Sequence, residues 1–367
     1  MAHHALAPGS TIGILGGGQL GRMLALAAAQ FGYRTHVLCP ETDSPASHVA
    51  TITTQADYTD ENALAAFAAA VDVVTYEFEN VPASTAAFLE KHTVVRPSWR
   101  ALEIAQDRAK EKTFFAEIGV GTPPWRGLNT EDDLRKAVGE LGCPCVLKTA
   151  RLGYDGKGQA KIYKPDDIAD AWKAIGGAKA KPHADGGPFA VLEGFVNFRC
   201  EVSVIVARGV DGVVQAFDAT ENIHTNHILD RSIVPARIPS SMLFSAVAAA
   251  GLAATKLDLV GLLAVEFFIT KNGDVLANEM APRPHNSGHW TMDACETDQF
   301  QQMVRAVAGL PLADPARFAD VEMKNLIGDD VNGLDQYHGN PHAHVHLYGK
   351  REARPGRKMG HVNILKR

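Results

Sequence analysis

Cysteine is scarce: Cys39, Cys143, Cys145, Cys200 and Cys295 are the five in a chain of 367 residues. The number is odd and no C-x-x-C pair occurs, which excludes a disulfide scaffold and predicts a reducing, cytoplasmic setting. Cys143 and Cys145 flank Pro144 and read as buried strand residues rather than metal ligands. No secretory leader is expected, and no apolar run approaches the roughly 20 residues that cross a bilayer, so no membrane partner is expected either. Excess positive charge is also absent, since 36 Lys and Arg stand against 42 Asp and Glu for a net charge of −6. Apart from "GKREARPGRK" the basic residues are scattered and lack interleaved aromatics, so no nucleic-acid partner is expected. What remains is ordinary globular composition, 46% hydrophobic and 21% charged. At about 150 residues per domain it fits two or three domains with a substantial core.

Residues 11–95 alternate strand and helix at βαβ spacing: "TIGIL", a helix from about Gln19 to Phe31, "THVLC", a helix over "ENALAAFAAA", "VDVVTY", a helix after Pro82, and "TVVRP". That pattern predicts an open parallel sheet with ligands at the carboxyl ends of its strands, where both "GILGGGQLGRM" and "YEFENVP" fall. Gly16, Gly18 and Gly21 satisfy G-x-G-x-x-G, the dinucleotide fingerprint, and Glu41 lies 20 residues beyond Gly21, so spacing leaves an NAD-dependent dehydrogenase open. A charged amphipathic helix is predicted over Leu102–Ile118. A second region then brings "PCVLKTA", "RLGYDGKGQ", "AKIY", a helix from about Asp166 and the solvated loop "AKAKPHADGGPF". The antiparallel-looking strands "AVLEGFV", "CEVSVIVAR", "GVVQAFDAT" and "LAVEFFIT" follow, with a helix near Ser245 to Leu257. Beyond about residue 311 a tail carries "AHVHLY" and "HVNIL".

Lys148 ends a strand and is followed five residues later by a loop with glycines at 153, 156 and 158. Such glycines leave amides unshielded, as a cover over phosphates requires. Gln159 stands where a P-loop needs Lys-Ser/Thr, so this is no P-loop. Glu266 in "LAVEFFIT" and Glu279 in "VLANEMAPR" lie 13 residues apart across the "KNGD" turn. Facing one another with Asn278 beside them, they form an oxygen set suited to Mg²⁺ that also holds nucleotide phosphates. An unpaired charge inside the apolar strand around Glu266 is costly, which favours this reading over two solvated edge residues. His342, His344 and His346 alternate on one strand face and read as an ordinary half-exposed strand. His285 and His289 share a denser motif.

Taken together, Lys148, "GYDGKGQ", "LEGFV", "CEVSVI", "ENIH", "VEFF", "NEMAPRPHNSGHWT" and "RPGRKMGHVNIL" resemble the N5-carboxyaminoimidazole ribonucleotide synthetase family essentially end to end. The resemblance implies an ATP-grasp fold of mixed α/β and α+β class: a Rossmann-like parallel-sheet domain over residues 1–110, an ATP-grasp domain over 111–310 with its lid at about 120–190, and a small β-rich domain over 311–367. It implies ATP and Mg²⁺, with Mn²⁺ as a substitute, as cofactors, 5-aminoimidazole ribonucleotide and bicarbonate as substrates, and a homodimer. Carried over residue by residue, Arg108 and Lys148 touch ATP phosphates and Gly153, Tyr154, Asp155, Gly156, Lys157, Gly158 and Gln159 fold over them. The family more often has arginine at Lys157, so the bidentate fork is lost there. Glu193, Gly194, Phe195 and Val196 bind adenine by their backbone, Glu201 holds the ribose, His224 lies near the phosphates, and Glu266 and Glu279 hold the metal with Asn278 alongside.

On the substrate side the resemblance places Gln19 and Leu20 near the ribonucleotide phosphate and Glu77 at its ribose. Arg283, His285, Asn286 and Ser287 form the facing wall, and Lys358 and Arg351 rank ahead of Arg357 as phosphate contacts. Tyr154 and Asp155 approach the amine, Asp155 as base or orienter. The implied reaction phosphorylates bicarbonate to carboxyphosphate, which delivers the carboxyl group to the N5 amine. Lysines and Mg²⁺ suit the charge that spreads in phosphoryl transfer, and a closing lid shields a water-labile intermediate. Formate-dependent glycinamide ribonucleotide transformylase and biotin carboxylase are the nearest alternatives, matched less closely by "APRPHNSGHWT" and "RPGRK".

Overall fold

The computed structural model describes residues 5–151 and 158–366. Its N-terminal part is a parallel sheet in the order Ile52–Gln55, Arg34–Cys39, Thr11–Leu15, Val73–Tyr76, with helices following the strands. The expected fifth strand, "TVVRP", is a single bridge: Val74 N–H donates to the Val94 carbonyl and Arg96 N–H to the Val74 carbonyl. The next residue, Pro97, has no N–H to extend the ladder. The expected helix over Leu102–Ile118 is two, Trp99–Ala105 and Arg108–Glu117. Asp107, 1% exposed, starts the second by accepting from Ala109 and Lys110 N–H at 2.9 and 3.2 Å, the ordinary act of an N-cap aspartate.

A four-stranded antiparallel sheet follows, ordered Trp125–Leu128, Ala190–Gly194, Cys145–Thr149, Gln159–Ile162. It has a core of its own, with Leu128, Leu147, Trp172 and Leu192 buried together. Cys145 lies in that core but Cys143 is exposed, because the chain enters the strand only after Pro144.

The third sheet has nine strands among the described residues. Gly261–Thr270 lies between Phe198–Arg208 and Val275–Ala281, and the sheet continues through Thr220–Thr225 and Ile228–Val234 into the C-terminal strands Asp320–Ile327, Lys358–Lys366 and Ala343–Leu347. The tail therefore extends the central sheet. The hairpin Thr220–Val234 was not anticipated because its turn is Asn226-His227, both with positive φ (51° and 65°), without the glycine that usually marks such a turn. One core joins Ile12, Ile14 and Leu24 to Leu262, Met303, Val307, Met323 and Leu365. The first sheet, the central sheet and the tail thus share one hydrophobic interior, whereas the small antiparallel sheet stands on its own.

Candidate active site

At the carboxyl end of the parallel sheet the helix Gln19–Gln30 begins at Gly18 with no side-chain cap and no acid in its first turn. Its orphan amides are met from 59 residues away: Glu77, 7% exposed, accepts from Gly18 N–H at 2.8 Å and from Gly21 N–H at 3.2 Å. Gly16 has φ +111°, and a Cβ there would lie 2.6 Å from Glu77 Oε1, so the turn and the carboxylate are built around each other. Burial raises the Glu77 pKa against the pull of the two amides and of Arg283 and Lys350. The donors a dinucleotide pyrophosphate needs are thus already spent on the protein's own anion. Leu20 is buried in the core, and Gln19 is half-buried at the helix start.

Cations gather on this rim. Arg283 pairs with Glu79 and donates to the Pro284 carbonyl at 2.8 Å. Lys350, absent from the expected set, donates to the Lys358 carbonyl at 2.7 Å; burial and the nearby Arg357 and Lys358 lower its pKa to about 8 against the opposing pull of Glu77. Arg351 is instead 80% exposed and turned to Asp43, and Arg357 donates to the Glu352 carbonyl at 3.0 Å. Of the expected wall, His285 faces Glu266, Nε2 to Oε1 3.4 Å, with Nδ1 2.8 Å from Ser287 Oγ. Ser287 is fully buried and also bonded to Ser203 at 2.7 Å, and Asn286 exchanges amide hydrogen bonds with Asn325 at 2.7 and 3.0 Å. Ser287 thus backs the His285 ring, while Asn286 is tied to the strand of Asn325.

At the small sheet, Lys148 Nζ lies 2.9 Å from Glu193 Oε2 and Lys112 Nζ 3.1 Å from Glu193 Oε1. Lys112 is 0% exposed and Glu193 5%. Burial works against the Glu193 charge, but the two ammonium groups outweigh it and pull the carboxyl down to about 2. Lys112, on the helix Arg108–Glu117, is a buried cation that the sequence reading missed; a lysine in "RAKEKTFF" looks like any solvated one until Glu193 of the small sheet meets it. Arg108 bonds the end of the Lys148 strand, its N–H to the Ala150 carbonyl at 2.9 Å and its Nη1 to the Thr149 carbonyl at 3.0 Å. The N–H groups of Gly194 and Phe195 are bonded to the Pro124 and Pro144 carbonyls. Val196 is the next residue of that segment. Gly158 takes φ +69° against Thr149, and Gln159 pairs in register with Lys148. Gly153, Tyr154, Asp155, Gly156 and Lys157 lie outside the described residues.

On the central sheet Glu266 and Glu279 are direct cross-strand partners. Strict alternation would send Asn278 to the opposite face, but the register jumps from Glu266↔Glu279 to Phe267↔Ala277, leaving Asn278 as the extra residue of a bulge. One ligand atom each from Glu201, His224 and Glu266 lies within 4.8 Å of the others, a grouping that holds Glu266 but not Glu279. His224 Nδ1 is 3.2 Å from Glu201 Oε2. Burial and the neighbouring Glu279 push the Glu266 carboxyl up to about 8. Glu111, a second residue that sequence reading missed, is raised to about 8 by burial and accepts from Met280 N–H at 2.5 Å, tying the helix of Arg108 and Lys112 to the strand of Glu279.

Three family models tile the chain: Ribonucleotide synthetase preATP-grasp domain at residues 9–106, ATP-grasp domain at 113–300, and Phosphoribosylaminoimidazole carboxylase C-terminal domain at 322–367. N5-carboxyaminoimidazole ribonucleotide synthase of Brucella melitensis is 51% identical over 99% of this chain and 98% of its own length. The chain belongs to the N5-carboxyaminoimidazole ribonucleotide synthetase family of ATP-grasp proteins. The Bacillus subtilis synthase is 42% identical over 100% of this chain and 94% of its own. Among solved structures, an N5-carboxyaminoimidazole ribonucleotide synthetase in complex with ADP matches at 45% identity and TM-score 0.93, covering 99% of this chain and 94% of that one. The Aspergillus clavatus synthase with ADP and 5-aminoimidazole ribonucleotide matches at 29% identity and TM-score 0.88, covering 98% and 94%.

Proposed function

We propose that this chain uses ATP to phosphorylate bicarbonate and transfers the resulting carboxyl group to the N5 amine of 5-aminoimidazole ribonucleotide, in purine biosynthesis. The observation that carries the reading is the division of labour between two groups of residues: paired lysines and paired carboxylates on the ATP-grasp side, and a glycine turn already filled by Glu77 and rimmed by Arg283 and Lys350 on the other. Lys148 and Lys112 supply positive charge where a triphosphate ends, and Glu193 binds both ammonium groups until it arrives. Glu77 presents its carboxylate to a ribose hydroxyl while Arg283, Lys350 and Lys358 meet the 5′-phosphate. His285, backed by Ser287, stands between this side and Glu266.

Glu266 and Glu279 fit a divalent cation on their own chemistry. Two register-paired carboxylates with Asn278 beside them offer oxygen donors, and burial and the neighbouring Glu279 raise the Glu266 pKa, which a cation bound there would lower. Mg²⁺, or Mn²⁺ in its place, would neutralise phosphate charge there. A cytoplasmic homodimer completes the reading, supported by the family resemblance and, for the compartment, by five free cysteines. The test is ADP release by pure protein given ATP, Mg²⁺ and bicarbonate, with and without 5-aminoimidazole ribonucleotide. Release that depends on the ribonucleotide is expected; turnover indifferent to it would overturn the substrate.

A further inference from the structure

The loop between the helix Ile168–Ala174 and the strand Ala190–Gly194 reads in the sequence as solvent-facing, yet one of its residues, Asp185, is bonded to Arg151 and to Lys110 of the helix Arg108–Glu117. Asp185 Oδ2 lies 2.6 Å from Arg151 Nη2 and 2.8 Å from Lys110 Nζ, and its other oxygen accepts from Gly187 N–H at 3.2 Å. Arg151 turns a second nitrogen, Nε, to Asp107 Oδ2 at 2.7 Å, the same carboxylate whose Oδ1 caps the helix Arg108–Glu117. Lys110 also holds Glu103 at 2.8 Å. Five charged side chains therefore join the loop, the end of the Lys148 strand and the first turn of the helix that carries Arg108 and Lys112. Arg108 in turn is pinned to that strand end by its bonds to Ala150 and Thr149.

We propose that Asp185 is a positioning residue for nucleotide phosphates, acting through Arg151 and Asp107 on Arg108. The proposal rests on the reading that this cleft binds ATP. Arg108 and Lys112 come from a helix, and Lys148 from a strand of a separately cored sheet. One triphosphate must meet both sets, so their spacing matters, and this network joins the two elements that set it. Among the described residues Asp185 touches no part of the Lys112, Lys148 and Glu193 cluster. An isolated exposed pair contributes little. Here the Asp107 end is 1% exposed and Arg151 bridges two carboxylates with separate nitrogens, so the coupling exceeds that of a lone pair.

The test measures ADP affinity by calorimetry, ATP kinetics and melting temperature for the full chain, Asp185→Ala and Asp185→Glu. Expected for Asp185→Ala are an ADP Kd and an ATP KM raised about three- to tenfold, kcat within about twofold, and a melting temperature close to wild type. Asp185→Glu should recover most of the affinity. Adding Arg151→Ala to Asp185→Ala should cost less than Arg151→Ala costs alone, because the two act through one chain of contacts. Unchanged ADP affinity in Asp185→Ala would overturn the proposal by itself. So would a loss of kcat and melting temperature without a change in KM, the mark of a merely structural role. Failure of the wild-type chain to bind ADP would defeat the nucleotide reading and this proposal with it.

Discussion

Two buried glutamates, Glu77 and Glu193, sit at strand ends in two different sheets, and their environments are opposite. Glu77 is held by peptide N–H groups at the start of a helix, and its pKa is raised because burial outweighs those donors. Glu193 is held by two ammonium groups and its carboxyl is pulled down to about 2. The first arrangement fills an anion site, both carboxylate oxygens accepting from backbone amides. The second keeps two cations close together and charged, so that an arriving polyanion finds them in place. A glycine fingerprint thus identifies a turn, and the group that occupies its amides decides what binds there.

The largest expected effect breaks the charged side. Glu193→Gln leaves Lys112 buried without its counter-ion and should cost about 3–5 kcal/mol in denaturant unfolding at neutral pH. The sign with pH follows from a folded pKa below the ordinary value of 4.5: the stability contributed by Glu193 is present above that value and lost as pH falls through about 2. A stability profile between pH 5 and 2 should therefore be steeper for wild type than for Glu193→Gln. Next, Glu279→Gln should lower ATP turnover by about a hundredfold or more, read by ADP release, since it removes half of the register-paired carboxylates. Retained activity would place the metal elsewhere.

The Glu77 side should respond more mildly. Gly18→Ala sets a Cβ 2.8 Å from Glu77 Oε1 and 3.0 Å from Oε2, so we expect a loss of about 1–3 kcal/mol by chemical denaturation. Glu77→Gln keeps one acceptor and should cost only about 1 kcal/mol, while raising the KM for the ribonucleotide without moving that for ATP. An equal rise in both would erase the distinction between the two glutamates.

Much of this was legible in the sequence where local chemistry fixes the outcome. The strand Thr11–Leu15, the helix starting at Gln19 and the Glu266–Glu279 hairpin follow from alternation, a glycine turn and the "KNGD" turn. The illegible part is tertiary. Nothing local distinguishes Lys112 from the solvated lysines around it, or shows that Asn286 and Ser287 turn their polar groups inward to Asn325 and Ser203. The break at Asp107 was readable in principle, as an aspartate followed by a helix start, but the charged run on both sides hid it. The bulge at Asn278 depends on a register that only the folded hairpin defines.

The most direct measurement is a crystal structure of this chain with ADP and 5-aminoimidazole ribonucleotide bound. The account predicts the ADP phosphates beside Lys148 and Arg108, the ribonucleotide phosphate among Arg283, Lys350 and Lys358, and Glu77 still bonded to Gly18 and Gly21. A pyrophosphate seated on the Gly18 and Gly21 amides, with Glu77 swung aside, would contradict it.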